Sequence, residues 1–343
     1  MITIDGSFGE GGGQILRTSI ALSALLLKPI KIINIRKNRP KPGLMPQHLT
    51  GIKIAGEFTN AEIKGLEIGS TEVEFIPKSC DMKNREIDIG TAGSIGLLLQ
   101  TLTPLLIFAD DEIILEIIGG TAGLGAPTIE YMQNVTFPVL EKFGIPLPDI
   151  EIVREGFYPK GHGQVRITFK PVKKLKSVKL LERGKIRSIG GISVVGSLPE
   201  DIARREADGI KKILIGNGLP EAQIEKKIVE THSPGTSVTL WSKCENSVLG
   251  SDAIGEGGKR AEKVGEDVAF ELVKSINSGA ALDKHMSDQI IPFMALAKNR
   301  SEVSIEELTG HCRTNIDVIE KILGIKFQLT DDVISVDGID FKK

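Results

Sequence analysis

A chain of 343 residues and 37.1 kDa, 41% hydrophobic and 26% charged, is long enough for one large soluble domain and a smaller one. Its formal net charge of −2 and pI of about 6.3 exclude a protein that coats long stretches of nucleic acid, so any nucleic-acid partner is held at a small local site. Three widely spaced cysteines, Cys80, Cys244 and Cys312, form neither a disulfide framework nor a zinc pattern and point to a reducing cytoplasm.

Met1 to Asp5 alternates as a short strand and runs into the glycine-rich stretch from Gly6 to Gln14. A nearly all-apolar helix is expected from Ile15 to Leu27. Backbone amides in such a turn can approach a phosphate, although the Walker lysine and the dinucleotide glycine spacing are both absent. A tight structural turn is the competing reading. Glu10 and Arg17 are the polar groups that could serve a site there, and an unpaired Arg17 inside an apolar helix would be costly. Early charges at Asp5 and Glu10 do not suit a signal peptide. A second strand, Ile30 to Ile35, ends at four cations within six residues, Arg36, Lys37, Arg39 and Lys41, stiffened by Pro40 and Pro42. Such arginines suit fork-like phosphate binding, as against a merely solvated loop. Gln47 and His48 then open a helix to about Glu57.

Ile63 to Phe75 reads as two strands. Strand, glycine turn and apolar helix then recur twice, at Ile87 to Ser94 and at Ile113 to Pro127, which implies a repeated unit stacked around sheets. The apolar run from Ile95 to Phe108 contains Gln100 and Pro104 and is too short to cross a bilayer, so a buried helix and no membrane partner are expected. Glu151 to Glu155 and Gly163 to Phe169 bracket a hairpin-like connection. Residues 185–279 differ in character and read as an inserted smaller domain.

Near the end, Gly310-His311-Cys312-Arg313-Thr314-Asn315 precedes an apolar helical face formed by Ile316, Val318, Ile319, Ile322 and Leu323. Thr314 followed by Asp317 fits an N-cap and its capping partner, which would put His311 just ahead of a helix N-terminus. Unpaired amides there favour a phosphate, and a neutral imidazole could attack phosphorus. A loop histidine with local hydrogen bonds is the alternative.

Six segments, taken in order, resemble an RNA 3′-terminal phosphate cyclase: GEGGGQILR (Gly9 to Arg17), IRKNRPKPGLMPQH (Ile35 to His48), GSIGLLLQT (Gly93 to Thr101), GFYPKGHG (Gly156 to Gly163), DQIIPFMALA (Asp288 to Ala297) and GHCRTNI (Gly310 to Ile316). The resemblance implies an α/β fold of repeated βαβαββ units, as in the enolpyruvyl transferases. Residues 1–184 and 280–343 would form a discontinuous catalytic domain around the 185–279 insert. It implies that ATP and an RNA 3′-phosphate give a 2′,3′-cyclic phosphate, AMP and pyrophosphate, with His311 as the nucleophile that becomes adenylated. By the same resemblance Glu10, Arg17, Gln100, Pro127, His285, Asp288 and Gln289 face the nucleotide, and Arg36, Arg39 and Gln47 face the RNA terminal phosphate. Mg²⁺ or Mn²⁺ is expected, with Glu10 as the protein carboxylate that holds it, and a homodimer is compatible with the family.

The chain departs from the family pattern at three positions. Glu155 stands where a basic residue is usual, His162 interrupts a run of glycines, and His285 replaces a frequent aromatic. Two other classes compete with the enzyme reading. A non-catalytic ribosome-assembly relative would lack the histidine, and an enolpyruvyl transferase would not have the His311 context.

Overall fold

The computed structural model describes residues 1–343 and repeats one supersecondary pattern three times. In the first unit β1 (Ile2–Asp5), α1 (Gly13–Leu26), β2 (Ile30–Ile33), α2 (Pro46–Phe58), β3 (Glu62–Lys64) and β4 (Val73–Ile76) form a sheet of order β1-β2-β4-β3. Only β1 and β2 run parallel. The second unit repeats this with β5 (Arg85–Asp88), α3 (Ile95–Leu106), β6 (Ile113–Gly119), the short helices α4 (Ile129–Tyr131) and α5 (Phe137–Leu140), β7 (Asp149–Arg154) and β8 (Gly163–Phe169). Its order is β5-β6-β8-β7, again with one parallel pair.

The third unit opens with β9 (Lys179–Leu180) and is then interrupted. Strands β10 (Ile186–Gly196), β11 (Gln223–Val229), β12 (Gly235–Cys244) and β13 (Val248–Ile254) form a separate sheet of order β11-β10-β12-β13, packed by helices α6 (Asp201–Gly216) and α7 (Ala261–Ser278). The chain resumes with α8 (Met286–Gln289), α9 (Ile291–Leu296), β14 (Arg300–Ser304), α10 (Gly310–Leu323), β15 (Phe327–Leu329) and β16 (Val333–Asp337). The order β9-β14-β16-β15 completes the third copy, so the expected βαβαββ repeat is present. No helix is long and apolar enough to cross a membrane.

The first two repeats each bury one sheet face, as the alternating burial of β2, β4, β6 and β8 shows, and a single cluster of 63 buried residues joins all three units. The interrupting segment has its own cluster of 13, centred on Ile210, Leu240 and Leu272. Its edge strand β11 escapes recognition in the sequence because Glu225, Lys226 and Lys227 break the apolar alternation.

Two loops of the second unit fasten the segment to the body. Phe157 is buried against Gly196 and Gly235, positions at which a β-carbon would collide with its ring. The Thr128 hydroxyl lies 2.8 Å from that of Thr239, and Lys160 N–H donates to Ser233 Oγ at 3.1 Å. Both glycine-motif departures have a physical basis here. Glu155 is buried, accepts from Thr121 Oγ1 at 2.6 Å and pairs with Lys227 of β11 at 2.7 Å. His162 adopts φ +57°, the left-handed conformation that a glycine takes more easily, and is exposed.

Beside Glu155 lies Glu130, buried, with neither carboxyl oxygen partnered. Burial, and then the Glu155 charge, push Glu130 up to about 8. Its folded value lies above its ordinary 4.5, so its contribution to stability is present below pH 4.5 and is lost as pH rises through about 8. Glu130→Gln keeps the size of the side chain and removes the titration. The variant should show a flatter dependence of Tm on pH across that window and be more stable than the parent by about 1–3 kcal/mol at alkaline pH.

Candidate active site

The three units meet in a cleft of about 340 Å³. Helix α1 contributes Gln14 and Arg17, α3 contributes Leu97 and Gln100, and the turn after β6 contributes Gly123 to Pro127. His285 just ahead of α8, Asp288 and Gln289 within it, and His311 of α10 close the third side. All the residues expected to face a nucleotide therefore line one cavity, except Glu10, which reaches it through His311. Gln14 was not expected among them, and neither were Tyr131 and a stretch of β13. Tyr131 is buried against the edge of His285, with ring centroids 6.4 Å apart, and its hydroxyl donates to Asp283 at 2.8 Å. Asp252, Ala253 and Ile254 come from β13 of the interrupting sheet, where no motif marks them.

His311 is not ahead of the helix. The N-cap is Thr309, whose Oγ1 accepts from Cys312 N–H at 3.1 Å, so α10 starts one turn earlier than the Thr314 and Asp317 pattern implies. Thr314 instead turns its hydroxyl back to the Gly310 carbonyl at 2.7 Å, inside the helix. His311 thus stands in the first helical turn, whose amides lack helical acceptors. Its Nε2 lies 3.1 Å from Glu10 Oε2, whereas Nδ1 is buried and unpartnered. That arrangement places the exchangeable proton of the neutral ring on Nε2, against the carboxylate. Burial holds His311 below its ordinary value; Glu10 opposes that shift, while Arg17, Arg39 and His285 reinforce it. The imidazole is consequently neutral at physiological pH. Cys312 beside it is fully buried and pushed up to about 12 by burial, so its thiol is inert at neutral pH.

Arg17 and Asp288 share the half-buried floor. Burial pushes Arg17 down to about 10, leaving it a cation, and pushes Asp288 up to about 7 although Arg17 opposes that shift. Arg17 bonds to Gln14 Oε1 through Nη2, and its Nε is unpartnered, so donors remain for an anion.

The expected RNA-facing groups occupy an adjoining rim. Arg39 Nη2 lies 3.8 Å from Glu10 Oε2, so the two halves of the site meet at Glu10. Arg36 uses Nη1 to hold the Gly43 carbonyl at 3.1 Å, which shapes the basic loop. Gln47 lies in a neighbouring recess with Arg17 and His48. His48 is buried, accepts from Met45 N–H at 3.2 Å and is pushed down to about 3 by burial, with Arg17 and Arg36 adding to the shift. It is a neutral spacer beneath Gly13, where a β-carbon would strike its ring.

A buried network joins these parts. Asn315 Oδ1 accepts from Gln14 Nε2 at 3.0 Å and Thr18 Oγ1 at 2.6 Å, while its Nδ2 donates to the Asp288 carbonyl at 2.9 Å. Nothing in the sequence singles out this residue except its place four positions after His311.

Three βαβαββ units thus enclose a polar cleft in which a neutral histidine, in the first turn of α10, stands with the cation Arg17. Residues 8–329 match the family model of RNA 3′-terminal phosphate cyclase. A relative named RNA 3′-terminal phosphate cyclase from Ignicoccus hospitalis is 44% identical over 328 residues, covering 94% of this chain and 93% of its own. Another of that name from Pyrobaculum aerophilum is 44% identical over 348 residues, covering 100% and 99%. The chain belongs to the RNA 3′-terminal phosphate cyclase family. Among solved structures, the enolpyruvyl transferase NikO from Streptomyces tendae aligns at 12% identity with a TM-score of 0.26, over 98% of this chain and 81% of that one.

Truncating Asn315 takes the partner from the buried Thr18 hydroxyl, the Gln14 amide and the Asp288 carbonyl. Asn315→Ala should lower stability by about 3 kcal/mol, measured by urea unfolding. A loss below about 0.5 kcal/mol would show that the helices are held by packing alone.

Proposed function

We propose that this protein uses ATP to convert an RNA 3′-terminal phosphate into a 2′,3′-cyclic phosphodiester through a covalent His311 adenylate. The observation that carries this reading is the neutral His311 ring, with Nε2 against Glu10, at the cleft where all three units meet. Membership of the family, together with the names of its relatives, supports the substrate class.

Chemically, the ring nitrogen that carries no proton attacks the α-phosphorus, and the proton on the other ring nitrogen passes to Glu10. The new P–N bond forms as the bond to pyrophosphate breaks. Arg17, with unused donors, faces the charge that develops on phosphate oxygens. Pro127 and His285, on the same cavity, would flank the adenine, with Tyr131 backing His285. Gln100, Asp288 and Gln289 would orient the rest of the nucleotide. An oxygen of the RNA 3′-phosphate then takes AMP from the histidine, breaking the P–N bond. Finally the neighbouring 2′-hydroxyl attacks the 3′-phosphorus and expels AMP. Arg36, Arg39 and Gln47 would hold that phosphate.

A Mg²⁺ or Mn²⁺ ion fits this donor set. Glu10 is a single, partly exposed carboxylate on the cleft rim, and the chain has no cluster of three or more metal-ligating side chains. Such ions are commonly held by one or two carboxylates plus substrate phosphates. Bound there, the ion would neutralise charge on the phosphates and the leaving pyrophosphate. Three free cysteines suit the reducing cytoplasm in which such an enzyme would act.

Incubation with α-labelled ATP and denaturation should leave label on the protein, labile to acid and comparatively stable to alkali, as a phosphoramidate is. His311→Ala and His311→Asn should lose it with the fold intact; label surviving on His311→Ala would move the nucleophile elsewhere. On the RNA side, Arg39→Ala should still form the adenylate but cyclise RNA about tenfold or more slowly, because charge-assisted bonds worth about 1.5–3 kcal/mol are gone. Arg39→Lys should recover only part of the rate, since an ammonium lacks the fork. Equal loss of both activities in Arg39→Ala would assign Arg39 to the ATP side through its contact with Glu10.

A further inference from the structure

The cleft and the basic rim accommodate a nucleotide and a terminal phosphate, and they leave the last base of the RNA without a partner. We infer that Phe8 is a stacking platform for that base, a subsite for the 3′-terminal nucleobase on the rim beside Arg39; this rests on the function proposed above.

Phe8 is 51% exposed in a chain only 4% aromatic. The other two prominently exposed rings have different settings. Tyr158 lies in the loop that docks the interrupting sheet, and Phe270, on α7, carries Lys263 over its face at 5.8 Å. Phe8 pairs with no other ring and no cation.

Its backbone is nevertheless fixed on both sides. Phe8 N–H donates to the Asp5 carbonyl at 3.3 Å, and Gly11 N–H donates to the Phe8 carbonyl at 2.9 Å. Asp5 Oδ1 accepts from Ser7 N–H at 2.9 Å and from Asn34 Nδ2 at 3.2 Å. Gly9 and Gly11 take φ of +56° and +58°, which closes the turn around Glu10. The turn is also fastened to the basic loop: Asn38 Nδ2 donates to the Ser7 carbonyl at 3.3 Å, and a β-carbon on Gly12 would lie 3.0 Å from Arg39 Nη2. The ring therefore projects from a turn held in place two residues from Glu10, which contacts both His311 and Arg39.

A phosphate bound at Arg39 brings its own base within one nucleotide's length of that turn. Every base has a π-face, so an aromatic platform serves any terminal nucleotide, and each such stack is worth about 1–3 kcal/mol. A pre-positioned ring loses little entropy on binding. The chain's net charge of −2 makes a contact that does not depend on charge useful for retaining an RNA end.

The test uses the full-length protein and an RNA 3′-phosphate whose last nucleotide is 2-aminopurine, whose fluorescence is quenched on stacking. The parent protein and Phe8→Trp should quench it; Phe8→Ala and Phe8→Leu should not, and should bind the RNA roughly tenfold more weakly by anisotropy. An RNA with an abasic 3′-terminal nucleotide should bind all four proteins alike. Adenylylation with ATP alone reports that the Gly6–Gly13 turn is intact in each variant. Quenching by Phe8→Ala equal to that of the parent, or an equal loss on the abasic RNA, would overturn the inference. Quenching without any cyclisation would overturn the proposed reaction and leave the subsite standing.

Discussion

The arrangement depends on one buried side-chain amide. Asn315 is fully enclosed and uses both ends of its amide, accepting from Gln14 and Thr18 of α1 and donating to the carbonyl of Asp288 in α8. A buried amide that finds all these partners is stabilising, whereas one that misses any is costly, so the register between the helices admits little slack. Because His311 is one helical turn from Asn315, the same contacts fix the imidazole relative to Arg17, one turn beyond Gln14 on α1. First and third repeats are thereby joined across roughly three hundred residues of chain, one helical turn from His311.

That junction explains why the cleft holds groups of such different proton affinity. His48 is kept neutral by burial, His311 is lowered, Arg17 remains charged at about 10, and Asp288 is raised to about 7. Burial is the leading cause in all four cases, and it acts because the three repeat units enclose the site. The cations Arg17 and Arg39 then keep His311 from gaining a second proton, which a nucleophilic nitrogen must not carry. Glu10, the group that opposes them, stands at the exposed end, in contact with both His311 and Arg39.

Much of this was legible because each repeat announces itself with a strand, a glycine turn and an apolar helix. Polar residues inside those apolar helices, Arg17 and Gln100, are conspicuous, and the structure directs both into the cavity. What was not legible depends on partners distant in the chain. Asn315 has meaning only beside Gln14, Tyr131 only beside His285 and Asp283, and Asp252 only once β13 is laid against the second unit. The helix start was misread for a local reason. Thr309 and Thr314 are both competent caps, and the choice fell to Thr309 because its hydroxyl reaches the Cys312 amide while that of Thr314 returns to Gly310.

The interrupting sheet adds the last step. Asp252 accepts from the Thr128 amide at 2.8 Å and lines the cleft beside Pro127, so the segment is a wall of the cavity and not an appendage. Its attachment uses Phe157 in a glycine-lined socket and the Glu155–Lys227 pair, whose carboxylate is buried and whose ammonium is half-buried. A buried ion pair contributes little net stability, but losing one partner is strongly unfavourable, so it specifies which surfaces meet. Glu155, where the family pattern has a basic residue, is paired here with Lys227 of the interrupting sheet. The local rule is broken in the loop and satisfied across the interface, which holds that wall of the cleft in place.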